Sequence, residues 1–413
     1  MPVFGLLFLL ALAAVTGVRL WLARRQLRHA RRHRGEVPQA FRDRIGTGEQ
    51  TVAADYQAAR LRLGMVETAA GAGLVLALTL GGGVAALLEA ARTLAGPGWL
   101  AGTLAAVAVA GINGLLDLPF AAWRTFRIEA RFGFNRSSPG LFLADTLKAA
   151  LLGGLLIGLL AAGLLGLMAA SGRWWWLSGW GLWLAFTLAL TWAYPKWIAP
   201  LFNRFRPLQD AEVRGRIRGL LARCGFALAG VYVMDASRRT AHGNAFFTGL
   251  GSAKRVVFFD TLLQTLEPAE TEAVLAHELG HYRLGHIRNG VALSALAVLA
   301  GLALLAWLRT QPWFFTGLGA AAPSDAGALI LAALAAPVLL FPLQPLAAAW
   351  SRRRELAADA FAARHSDAAA LAGALVKLYR DNAALLSADP LFARVHHSHP
   401  LPAERIARLQ GGG

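Results

Sequence analysis

The sequence predicts an all-α polytopic membrane protein: seven transmembrane helices joined to a mainly helical water-facing region that contains a small β-sheet. Three observations predict it. Of 413 residues, 56% are hydrophobic and only 16% charged, against roughly 45–50% and about 25% in a soluble domain, and the mean hydropathy is +0.48. The apolar residues fall into blocks close to the ~20 residues that cross a bilayer core. Arginine gathers at alternate ends of those blocks, as the positive-inside rule requires of cytoplasmic loops.

The first span is expected near 3–22. It has no basic segment before its apolar run, and the charge follows it in ARRQLRHARRHRGE, 23–36, so it reads as a retained span rather than a secretory signal. The second, near 67–91, is interrupted by Gly81-Gly82-Gly83, and the third, near 98–119, carries Asn113. The basic stretch WRTFRIEARFGFNR, 123–136, comes next, then spans near 146–170 and 176–195.

The long polar segment 199–289 follows. Helical periodicity runs over 209–224, and GVYVMDA (230–236) and KRVVFFDTLL (254–263) read as short strands rich in β-branched and aromatic residues. Between them, 239–251 reads as a glycine-punctuated loop. A helix is expected from Pro268 to about Arg288, with Pro268 in its first turn and Glu267, Glu270 and Glu272 near its positive end. Spans near 290–308 and 327–349 precede SRRRE, 351–355, and a last polar segment, 350–413.

The loops near 92–97, 171–175 and 309–325 carry little positive charge. An outside amino terminus, seven crossings and a cytoplasmic carboxyl terminus satisfy this pattern. Four units follow: helices 1–5 with their loops (1–198), a polar segment (199–289), helices 6 and 7 (290–349) and a second polar segment (350–413). The net charge of +17 is explained by topology and anionic lipid head groups, with no nucleic-acid partner. A single cysteine, Cys224, allows no internal disulfide and no cysteine-based zinc site, and reads as a small buried residue.

The chemistry-bearing stretch is AVLAHELGHYRLGHIRNG, 273–290. His277 and His281, four residues apart, lie on one face of a helix and can hold one metal ion. Glu278 stands next to the first histidine, within reach of a water on that metal. In this H-E-x-x-H arrangement zinc polarises the water and the peptide carbonyl, and the glutamate relays the proton to the leaving amine. A third protein ligand is needed, and Glu355 in RRRELAADAFA, 352–362, is the best candidate. Asp359, one turn further along, can accept the second N–H of a zinc-bound histidine or take part in proton transfer. Read alone, this stretch is the amphipathic edge of the seventh span with its arginine cluster, and Glu355 gains its weight as a ligand from the H-E-x-x-H that lacks one. In VHHSHPLPAERIARL, 395–409, a histidine or arginine could stabilise an oxyanion, although His396, His397 and His399 also read as surface residues. His286, five residues past His281, turns off the metal face and reads as a residue behind the site or on the surface.

With these residues in view, the chain resembles the integral-membrane zinc metallopeptidases typified by CAAX prenyl protease 1, in their bacterial form. The resemblance rests on RIEARFGFNRSS (127–138), PKWIAPLFNRFRPL (195–208), VYVMDASRRTAHGNAFFTGLGSAKRVVFFDTLL (231–263), HELGHYRLGH (277–286), ELAADAFA (355–362) and HSHPLPAERI (397–406). It implies a helical membrane barrel enclosing a water-filled chamber with one zinc ion per chain facing into it. His277, His281 and Glu355 would be the ligands and Glu278 the general base. Asp359 would match the family's Glu-x-x-x-Asp aspartate. His399 and Arg405 would stand near the oxyanion and substrate. Asn244 and Ala245 would pair with the substrate backbone, and strand 254–260 would be placed to accept an extended peptide. Gly243 departs from the serine usual before that asparagine.

The resemblance implies a membrane-embedded endopeptidase surrounded by lipid; the alanine-, arginine- and glycine-rich composition reads as bacterial, so the bacterial cytoplasmic membrane is the expected location, and a monomer is the expected state. Its substrates would be peptides or protein carboxy-terminal tails, with or without a lipid modification. A quality-control protease like the smaller HtpX relatives is the alternative within enzymes, and the span count favours the first. A transporter or non-catalytic scaffold would carry ionisable residues in mid-span, and few are present.

Overall fold

The computed structural model describes residues 2–226, 228–248 and 254–411. Long helices come first: α1 (Val3–Arg32), α2 (Thr47–Leu78), α3 (Gly83–Ala95), α4 (Trp99–Trp123), α5 (Pro139–Ala170) and α6 (Trp175–Ala193). A π-helical turn, Arg124–Glu129, extends α4, and a second, Tyr194–Ile198, extends α6. Next come α7 (Ala199–Phe202), β1 (Phe205–Pro207), α8 (Ala211–Arg223), β2 (Gly230–Met234), β3 (Ala245–Thr248), β4 (Arg255–Phe259), α9 (Asp260–Thr265) and α10 (Pro268–Arg283). The chain returns through α11 (His286–Leu308), α12 (Pro312–Gly317) and α13 (Asp325–Leu339). It ends with α14 (Gln344–His365), α15 (Ala368–Asp381), α16 (Pro390–His396) and α17 (Pro402–Gly411).

Among the described residues, five helices are long and apolar enough to cross a membrane: α1, α2, α4 with its π extension, α5 and α11. A sixth is added if α13 and the Phe341–His365 helix, bent by 43° at their junction, count as one span. The expected span 67–91 is not one helix. It breaks at Thr79–Gly82, where Gly82 takes φ +77°, and the run divides between α2 and α3. The expected span 327–349 likewise bends after Leu339, past Pro337. Asn113 does not disturb α4, because its Nδ2 donates to the Val109 carbonyl 2.9 Å away.

Two cores hold the molecule. One joins the long helices through Phe8, Trp175, Phe315, Leu318 and Leu331. The other surrounds α10 with Ile217 and Leu220 of α8, Val256 and Phe258 of β4, Leu371 and Leu375 of α15 and Ile406 of α17. Leu275 and Leu279 of α10 lie at its centre, 0% and 1% exposed, where truncation to alanine costs about 2–5 kcal/mol. Cys224 is buried in this core, as expected.

The sheet has the order β1-β2-β4-β3, with β2 and β4 parallel and the other pairs antiparallel. β4 is therefore interior, paired on both sides. The expectation that strand 254–260 receives an extended peptide fails on this order, since its backbone groups already serve β2 and β3. The outer strands are β1 and β3, and among the described residues β3 is the one that leads directly out of the Gly243–Asn244 turn. The strand expected over 254–263 also ends at Phe259, where Asp260 starts α9. The last part of the glycine-punctuated loop, 249–251, lies outside the described residues.

Candidate active site

The metal-binding face is built by two helices in close contact. α10 starts with a capping box, in which the Glu267 amide donates to Glu270 Oε2 at 2.9 Å, and Pro268 occupies its first turn. Lys377 of α15 lies 2.7 Å from Glu270, and Arg216 of α8 lies 3.3 Å from Glu272, so neighbouring helices fix the rotation of α10. The helix ends at Arg283 rather than Arg288, because Gly285 adopts φ +71° and turns the chain into α11.

That turn changes the position expected for His286. Its side chain folds back and is buried, with Nδ1 3.1 Å from His281 Nδ1. The surface alternative is overturned: His286 stands directly behind His281. Sequence spacing hid this contact, because spacing along one helix cannot anticipate a break in it.

Gly280, between the two histidines, lets α14 approach. A β-carbon there would sit 3.1 Å from Ala358 Cα and 3.2 Å from the Ala358 carbonyl oxygen. The close crossing brings Glu355 to the histidine pair. His277 Nε2 and His281 Nε2 are 3.2 Å apart. Glu355 Oε1 is 3.3 Å from His281 Nε2, and Oε2 is 3.5 Å from His277 Nε2. All three ligand atoms lie within 4.8 Å of one another. Bonds of about 2.0–2.1 Å arranged tetrahedrally place ligand atoms about 3.3 Å apart, and the two histidine nitrogens lie near that distance from each other and each from one oxygen of the Glu355 carboxylate, a cluster of the size a small divalent cation needs. Glu355 Oε2 is also buried, with His277 Nε2 at 3.5 Å and His399 Nδ1 at 2.8 Å as its polar neighbours. These donors fit a metal.

Behind the triangle, His277 Nδ1 lies 2.8 Å from Asp359 Oδ1. Arg405 of α17 donates to the same carboxylate twice, Nε to Oδ2 at 2.8 Å and Nη2 to Oδ1 at 2.6 Å. Asp359 and Arg405 are 4% and 6% exposed, so this pair is effectively removed from solvent. His399 is exposed, with Nδ1 2.8 Å from Glu355 Oε2. Burial by itself pushes the His277 pKa down, but hydrogen bonds to Asp359 and Glu355 prevail and raise it to about 9. Burial pushes the Glu278 carboxyl above its ordinary value.

A cavity of about 1200 Å³ opens on this site. His277, Glu278, Glu355, His399 and Arg405 line it, together with Gly243, Asn244 and Ala245 and, from the long helices, Arg19, Tyr56 and Glu67. His396 and His397 border it too. A second, largely apolar cavity of about 630 Å³ lies among α1, α2, α4, α5 and α13 and shares Arg19, Glu67 and Thr68 with the first. Every site residue expected from sequence thus faces one cavity or stands directly behind it. Gly243 fits closely, since a β-carbon would meet Leu262 Cδ1 at 3.1 Å.

The strand β3 was not anticipated, although its signal is present: Phe246, Phe247 and Thr248 favour extended backbone. It starts at Ala245, whose amide donates to Asn244 Oδ1 at 2.8 Å, and the Asn244 carbonyl accepts from the Phe259 amide at 2.9 Å. This sheet edge therefore begins at the two residues expected to meet a substrate backbone.

Known proteins resemble this chain in sequence and in fold. A family model described as CAAX prenyl protease N-terminal, five membrane helices, matches residues 26–204, and one for peptidase family M48 matches 207–412. The chain is 34% identical over 305 residues to a CAAX prenyl protease 1 homolog of Arabidopsis thaliana, covering 72% of this chain and 70% of the relative. It is 32% identical over 319 residues to CAAX prenyl protease 1 of Saccharomyces cerevisiae, covering 73% and 70%. The crystal structure of S. mikatae Ste24p superposes with a TM-score of 0.91 at 26% identity, covering 99% of both chains.

Proposed function

The chain belongs to peptidase family M48, in its CAAX prenyl protease 1 branch, as a multi-pass membrane metalloendopeptidase, and from that premise we propose that it holds one zinc ion and cuts extended protein tails at the membrane surface. His277, His281 and Glu355 are the zinc ligands. The observation that carries this reading is the approach of His277 Nε2, His281 Nε2 and the two Glu355 oxygens, at 3.2 to 3.5 Å, beside a cavity that Ala245 at the start of β3 lines.

Zinc bound there supplies a Lewis acid for the attacking water and the scissile carbonyl. Glu278, half-buried in the cavity wall, takes a proton from the attacking water and delivers it to the leaving amine. Asp359 orients the His277 imidazole through Nδ1 and stabilises it in that tautomer. Arg405 holds Asp359 and borders the substrate cavity. His399, exposed beside Glu355 in the cavity lining, is assigned the role of donor to the developing oxyanion. Asn244 and Ala245 lead the substrate backbone along β3, which gains a strand.

Names of the relatives point to CAAX-type tails as substrates. Arginine distribution supports seven crossings, an outside amino terminus, cytoplasmic segments 199–289 and 350–413, and transmembrane units 1–198 and 290–349. The test is a paired one on detergent-purified protein: zinc by elemental analysis, and cleavage of a fluorogenic CAAX-type peptide, for the wild type and Glu278→Gln. One zinc in both with cleavage only in the wild type supports the reading. Absence of zinc in both sinks it.

A further inference from the structure

The turn that starts the β3 edge has no regular structure of its own, yet it is tied from three separate parts of the chain. His242 is the common point. Its Nε2 lies 3.3 Å from Glu129 Oε2, and its Nδ1 lies 2.9 Å from Asn382 Oδ1. Its ring stacks on Phe134, with centroids 4.3 Å apart and an interplanar angle of 25°. The other oxygen of Glu129 accepts from the Tyr56 hydroxyl at 2.6 Å. Tyr56 belongs to α2, Glu129 to the π turn after α4, and Asn382 to the end of α15. π turns recur where a helix is re-aimed for function.

The backbone around His242 is tied as well. Its carbonyl accepts from Thr261 Oγ1 at 2.8 Å, and the Ala241 amide donates to the Phe134 carbonyl at 3.0 Å. Gly243, Asn244 and Ala245 follow immediately, and they line the active-site cavity together with Tyr56 and Asn382. Only an imidazole offers two polar atoms on opposite sides of a flat ring that can stack on phenylalanine. The role of this network differs from that of the Asp359–Arg405 pair, because none of its members touches a proposed zinc ligand.

We propose that His242 is a positioning residue that holds the Gly243–Ala245 turn in register, so that β3 presents its edge to the substrate. This rests on the reading of β3 as the substrate-pairing edge. Fixing the turn beforehand removes an ordering cost that would otherwise be charged against binding. The network also links that edge to two of the long helices, through Tyr56 and Glu129.

The experiment measures peptide Kd by fluorescence anisotropy on zinc-loaded protein carrying Glu278→Gln, so that binding is read without cleavage. Two CAAX-type peptides are compared, one long enough to pair with all of β3 and one truncated on that side. Each is measured with His242 intact, with His242→Ala and with His242→Gln. The expected result is about tenfold weaker binding of the long peptide in His242→Ala, partial recovery in His242→Gln, and no change for the truncated peptide or for zinc content. Glu129→Gln, which keeps size and an acceptor, gives a smaller loss of the same pattern and serves if the alanine variant does not fold. Equal weakening of both peptides, or a long-peptide Kd within twofold of the intact protein, overturns the role of His242. If truncation changes nothing even with His242 intact, the β3-edge reading falls, and the inference falls with it.

Discussion

Gly280 of α10 lies directly against Ala358 of α14, with no room between the two backbones: a β-carbon on Gly280 would stand 3.1 Å from Ala358 Cα. This contact sets the distance from the histidine pair to Glu355. Gly280→Ala must move α14 outward, and overpacking of this kind costs about 1–3 kcal/mol. The variant is expected to lose about 10–100-fold in zinc affinity by chelator competition while keeping its helical circular dichroism. Unchanged affinity would mean that Glu355 is not held by this crossing.

Arg405 and Asp359 form a buried pair with two hydrogen bonds. Removing Arg405 leaves the buried Asp359 charge with His277 as its remaining partner, a loss smaller than the about 3–5 kcal/mol of a fully uncompensated buried charge. Arg405→Ala is therefore expected to lower the melting temperature in detergent by several degrees. Replacing both residues together by leucine and methionine is expected to restore much of the stability without restoring peptidase activity, because His277 then lacks its acceptor. Restored activity in the double variant would contradict the orienting role of Asp359.

Zinc affinity should depend on pH with a definite sign. In the metal-free protein, burial lowers the His277 pKa, but hydrogen bonds to Asp359 and Glu355 raise it overall, from 6.5 to about 9. Metal needs the neutral imidazole, so below about pH 9 binding must expel a proton, and affinity weakens by about tenfold per unit as the pH falls. The same shift means that the metal-free fold draws stability from protonated His277 below about pH 6.5 and loses it as the pH rises through about 9. Chelator competition between pH 6.5 and 9.5 reads the first effect, and a flat profile would contradict it.

Much of the site was legible before the structure, because H-E-x-x-H needs one helix and one missing acid, and both stand in short motifs. What escaped depends on backbone direction. Gly285 breaks the expected helix at a left-handed residue and returns His286 to His281, and no periodicity encodes that return. The order β1-β2-β4-β3 places β4 inside and β3, with β1, at an edge, since strand propensity does not reveal which strand lies outermost. The broken spans at Thr79–Gly82 and after Leu339 arise similarly, from local turns inside runs that hydropathy reads as continuous. Tyr56, Glu129 and His242 lie in three distant stretches, and only the fold joins them.

The most direct test of the account is anomalous diffraction at the zinc edge from crystals of the purified protein. The account predicts one peak per chain, about 2.0–2.2 Å from His277 Nε2, His281 Nε2 and a Glu355 carboxylate oxygen. A zinc-loaded crystal with no peak there, or with its peak held by other residues, would contradict it.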